Sequence, residues 1–118
     1  MKRKVLALFL ALALLLSHPI IANAISRSLA INPIINFGDN TIHCYVAIIA
    51  DAGDPIVAKI SLYEGNNRIR TWYRTGTERL IFSEYVPAQN GYKYTFTIDA
   101  TVEGIKEPTI SVDATYVQ

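Results

Sequence analysis

The sequence has one cysteine, Cys44, one tryptophan, Trp72, and two histidines, His18 and His43. A lone cysteine excludes a disulfide within the chain, so stability has to come from packing. One cysteine and so few histidines also fall short of the four protein ligands of a structural zinc site. There is no Gly-x-Ser-x-Gly elbow for a hydrolase nucleophile. Blocks of like charge are missing as well, and only one apolar stretch is long: Val5 to Leu16, 12 residues.

That stretch sits between "MKRK" and "SHPIIANA". A basic start, a short apolar middle and a small-residue Ala22-Asn23-Ala24 site are the parts of a secretory signal peptide. Twelve residues fall well below the roughly 20 that a spanning helix needs. Residues 1–24 are therefore expected to form a helical signal peptide cut after Ala24, leaving 94 residues as one domain. Losing Lys2, Arg3 and Lys4 turns a whole-chain charge of +1 into eight basic against ten acidic residues, a net −2. A weakly acidic chain with scattered basic residues does not read as a nucleic-acid binder. Cys44 lies 20 residues past the cut, too far to be a lipoprotein cysteine, and "ISVDATYVQ" is not a hydrophobic tail. The product is expected to be secreted and extracellular, released or held loosely at the cell wall, without a stable membrane anchor, and to act as a monomer.

Beyond the leader, apolar and polar residues alternate, the period of half-buried strands. In "YKYTFTIDATVE", Tyr92, Tyr94, Phe96, Ile98, Ala100 and Val102 fall on one face, and Lys93, Thr95, Thr97, Asp99, Thr101 and Glu103 on the other. The same phase runs through Ile42, Cys44, Val46 and Ile48, through Ala58, Ile60 and Leu62, and through Ile110, Val112, Ala114 and Tyr116. Turn residues in "FGDN", "DAGDP", "EGNN", "RTGTE", "PAQNG" and "EGIKEP" separate the runs. The pattern predicts about seven strands, near 28–37, 41–50, 56–63, 68–74, 79–86, 91–103 and 108–117. The expected fold is all-β, a single immunoglobulin-like antiparallel β-sandwich spanning 25–118.

"GYKYTFTIDA" resembles the Gly-x-x-Tyr opening of the penultimate strand in fibronectin type III-like sandwiches. That resemblance implies that Tyr94 packs at a corner with its hydroxyl bonded back to the backbone. The order Cys44, "KISLY", Trp72, "GYKY" and "EGIKEPT" is similar to that of small exported proteins of Gram-positive, clostridial and bacillus-type bacteria. It departs from them where Pro108 separates Glu107 from Thr109. The resemblance implies export and the fold, and carries no catalytic residue.

His43 and Cys44 are neighbours on a strand and so point to opposite faces, which prevents a Cys–His pair. Cys44, in an apolar run, is expected to be a buried, inert thiol. Asp51 and Asp54 share a loop and could offer oxygens to calcium, but two carboxylates fit turn capping better. Glu78 with Glu84, or Asp99 with Glu103, could form a hydrolase pair if held about 5 to 10 Å apart. No catalytic residue, metal site or cofactor is assigned.

Binding remains, and "RIRTWYRTG" is its main signal, with outward Tyr45 and Tyr63 beside it. On a regular strand Arg68, Arg70, Trp72 and Arg74 share a face, where an exposed indole could stack on a sugar ring or a peptide aromatic. A β-bulge near Thr71 would instead turn Ile69 and Trp72 to the core, and a core or rim position suits a small domain short of large side chains. Arg70, Trp72 and Arg74 are the candidate binding residues. The expected function is a non-enzymatic extracellular binding module. A small cell-wall or glycan hydrolase and a self-associating surface protein are the alternatives, the latter marked by a long, weakly charged, exposed edge strand such as "SLAINPIINF".

Export should leave a chain whose N-terminal sequencing reads Ile25-Ser26-Arg27; a product that still begins at Met1 would contradict the leader.

Overall fold

The computed structural model describes residues 28–118; the expected signal peptide and the cut after Ala24 lie outside the described residues. Eight strands follow in order: β1 Ala30–Gly38, β2 Thr41–Ile49, β3 Pro55–Glu64, β4 Asn67–Thr77, β5 Arg79–Pro87, β6 Lys93–Val102, β7 Ile105–Lys106 and β8 Ile110–Thr115. All pair antiparallel. One sheet runs β1-β2-β5; the other runs β4-β3-β6, with β7 and β8 following one another along the far side of β6. Between β4 and β5 the only register pair is Thr77 with Arg79. The molecule is therefore two sheets face to face, a β-sandwich joined at one corner.

The expected alternation places the core. Ile42, Cys44, Val46 and Ile48 of β2 meet Ala58, Ile60 and Leu62 of β3 and Tyr94, Phe96, Ile98, Ala100 and Val102 of β6, all essentially without solvent contact. Tyr92, assigned to the same inward row, is exposed. It precedes β6, beside the turn at Gly91 (φ 89°), and its carbonyl accepts from the Tyr116 N–H at 3.0 Å. The last strand is also shorter than the expected 108–117, running from Ile110 to Thr115, and a two-residue β7 forms inside the expected turn "EGIKEP". Pro108 has no N–H to offer a ladder, so pairing with β6 passes from β7 through the Glu107 N–H on Ala100 O (2.8 Å), then resumes at Ile110.

Aromatic side chains tie the sheets together. Phe82 of β5 takes the edge of Trp72 from β4 (4.9 Å, 60°) and lies 6.0 Å from Phe96 of β6. Toward the other end, Phe37 of β1 stacks on Tyr116 (4.9 Å, 22°) and packs against Tyr94 (6.1 Å). Both of these tyrosines are buried, so their hydroxyls need partners. Tyr94 accepts from the Gln89 N–H at 2.7 Å and donates to Glu64 Oε2 at 2.6 Å. The Tyr94 hydroxyl is thus tied back to the backbone five residues upstream, at Gln89. Burial first, then the bond to Glu64, hold its hydroxyl above the usual phenol range. Tyr116 accepts from the Asn40 N–H at 2.8 Å and donates to Gly38 O at 2.9 Å, fastening the chain end to the β1–β2 turn.

Replacing Tyr94 by Phe keeps the ring and strands the Gln89 N–H, so urea denaturation should show a loss of about 1–3 kcal/mol. An unchanged midpoint would mean that water takes over both bonds.

Candidate interaction surface

The β4–β5 corner brings the sequence's arginine–tryptophan stretch into place. At Gly76 a Cβ would lie 2.8 Å from Arg79 O and 3.2 Å from Leu80 Cβ, so glycine is needed for the strands to approach. Glu78 takes a left-handed backbone (φ 67°), and its N–H bonds to Asp54 O at 2.8 Å. From there β4 and β5 diverge into different sheets as facing edges.

A β-bulge is present in β4, at Ile69 rather than near Thr71, because Leu62 pairs with Arg70 while the next residue, Tyr63, pairs with Arg68. Beyond it Arg70, Trp72 and Arg74 face the same way as their partners Leu62, Ile60 and Ala58, which are buried. The three candidate residues thus share a face, and it is the inward one. The indole of Trp72 is half-buried against Phe82, a rim position rather than an open platform. The Arg74 guanidinium stands 5.5 Å from the Phe82 ring centre and pairs with Glu84 at 3.4 Å. Glu84 lies opposite Cys44, in the inward phase of β5. Arg74 with Glu84, and Trp72 with Phe82, therefore close the open side of the sandwich. Arg70 is exposed and donates to Ile69 O at 2.9 Å, as Arg74 does to Tyr73 O at 3.1 Å.

The remaining candidates are dispersed. Cys44 is buried, and desolvation pushes its thiol up to about 12, leaving it protonated at neutral pH. His43, on the opposite face, bonds Ser83 Oγ through Nε2 at 2.7 Å and stacks on Tyr85 (4.3 Å, 12°). Asp51 accepts from the Ser28 N–H at 3.2 Å, and its carbonyl accepts from the Asp54 N–H at 3.1 Å, the bonding of a turn. Asp99 accepts from Thr109 Oγ1. Glu78 and Glu84, six positions apart along extended chain, have backbones about 20 Å apart, beyond a hydrolase pair's spacing.

Sequence reasoning missed the outer face of the β1-β2-β5 sheet. Register places Asn36, His43 and Tyr85 in one row, then Ile34, Tyr45 and Ser83, then Asn32, Ala47 and Ile81, then Ala30, Ile49 and Arg79. Ile34 is 46%, Ile81 50% and Tyr85 70% exposed, and Ile49 is exposed too. Arg79, at one corner, is the only Lys, Arg, Asp or Glu in these rows. The opposite outer face also exposes Tyr73 and Val57, but sets among them Lys59 beside Asp99, a Lys93–Asp113 ion pair at 3.7 Å, and Thr71, Thr75, Thr95, Thr97 and Thr101. The missed signal is in "TIHCYVAII": β2 has no charge in either phase, so its outward side has nothing strongly solvated.

Replacing Trp72 by Ala should destabilise the domain by about 2–4 kcal/mol, since it empties the rim over Phe82. A loss under about 0.5 kcal/mol in chemical denaturation would return the indole to the surface.

Set against protein-family models, curated proteins and solved structures, the chain has no significant match in any of the three comparisons.

Proposed function

We propose that this chain is an exported, non-enzymatic interaction module that works outside the cell through the outer face of its β1-β2-β5 sheet. The observation that carries the reading is the contrast between its two faces. Contiguous exposed apolar surface is uncommon on a monomer and marks contact sites, whereas singly scattered apolar residues need no explanation. Here exposed Ile34, Ile49, Ile81 and Tyr85 adjoin half-buried Tyr45 and Ala47 across three strands. Exposed aromatic and aliphatic groups with charge almost absent are the composition of the core of a contact surface.

The reading as an immunoglobulin or fibronectin type III-like sandwich is supported by the strand order and by the bonded corner at Tyr94. The leader and the resemblance to small exported Gram-positive proteins support export. A binding role agrees with the placement of the carboxylates considered for hydrolysis, since Glu84 serves the rim and Asp99 holds Thr109. In this reading the arginine–tryptophan stretch chiefly closes the sandwich, and binding falls to the neighbouring sheet face.

A pull-down from envelope fractions and glycans with the processed chain should lose its captured partner on Ile81→Lys and keep it on Tyr73→Lys of the other sheet. Equal capture by both variants would reject the face.

A further inference from the structure

We propose that the partner of this face is a second copy of the chain, packed sheet on sheet in a weak, two-fold dimer; the inference rests on the reading of the face as an interaction surface. A two-fold contact places one patch against itself, so the patch must be self-complementary. Across its three strands this face is neutral apart from Arg79 at a corner, so bringing two copies together sets no opposing like charges at its centre. The other outer face, with Lys59, Asp99, Lys93 and Asp113, would have to desolvate charges to do the same.

The edges argue for face packing over strand-to-strand pairing. β1 is the long, uncharged edge strand expected of a self-associating protein, but Pro33 at its middle removes a donor. On β4, the bulge at Ile69 distorts the edge, and Arg70 and Arg74 fold back onto the carbonyls of Ile69 and Tyr73. β1 and β4, one edge of each sheet, thus carry devices that oppose the addition of a strand, and the broad outer face of the β1-β2-β5 sheet carries none. Its branched aliphatic residues, Ile34, Ile49 and Ile81, suit another apolar sheet better than a hydroxyl-rich sugar. Sheets pack about 10 Å apart through such side chains.

Size sets the strength. Three strands of nine residues, spaced about 4.8 Å apart and rising about 3.4 Å per residue, cover a footprint of about 400 Å². Stable complexes bury about 800 Å² per partner, so this dimer is dissociable.

Sedimentation equilibrium of the processed chain from Ile25 tests this, with Ile34→Lys and Tyr85→Lys on the face and Val57→Lys on the opposite sheet. All three sites are exposed, and circular dichroism verifies folding. The expected result is a weight-average mass that rises toward twice the monomer with concentration. Each face variant should raise the dissociation constant at least about tenfold, and Val57→Lys should leave it unchanged. A monomer up to about 1 mM, or a dimer indifferent to the face variants, overturns the proposal. Monomeric protein that still captures an envelope component, with loss on Ile34→Lys, overturns the second copy and keeps the interaction face; loss of neither overturns both.

Discussion

Without a disulfide, this sandwich depends on aromatic packing between its sheets. The backbone joins them at one register pair, Thr77 with Arg79, and elsewhere the two layers meet only through side chains and turns. Trp72, Phe82 and Phe96 bridge one region and Phe37, Tyr94 and Tyr116 another. Aromatic rings suit the task because each removes a large apolar area from water and prefers a tilted or offset neighbour. The tyrosines add buried hydroxyls that bond to backbone at Gln89, Gly38 and Asn40, so the same rings also set the course of turns.

This demand on large side chains explains the fate of Trp72. A domain this small has few of them, and its only indole is used to cover Phe82 where the sheets diverge. The nearby charges follow the same logic. Arg74 and Glu84 occupy inward phases, but at facing edge strands, where long side chains reach solvent while their stems cover the core. Surface groups that the core does not claim are then free to act, and those of the β1-β2-β5 face stand apart by lacking charge.

Much of the fold was legible because alternation is a local property of a strand. The row from Tyr94 to Val102, the inward phase of β2, and the opposition of His43 and Cys44 can all be read from neighbours two residues apart. The bulge at Ile69 could not be placed this way, because it is defined by the register of β4 against Leu62 and Tyr63. The last stretch was half legible: Pro108 signals a missing donor ahead of β8, while the two-residue β7 depends on pairing with Thr101 and Val102. The outer face was the least legible part, since Ile34, Tyr45 and Ser83 become one row only when three strands are in register. Tyr45 alone suggested an outward aromatic.

In the proposed dimer one sheet face meets water and the other meets a second copy. A dilution series of ¹⁵N-resolved amide spectra of the processed chain reads both faces at once. Concentration-dependent shifts confined to β1, β2 and β5 around Ile34, Tyr45 and Ile81, with Lys59, Thr97 and Asp99 constant, are the expected result. Shifts centred on β4 around Trp72, or on the charged face, would contradict it.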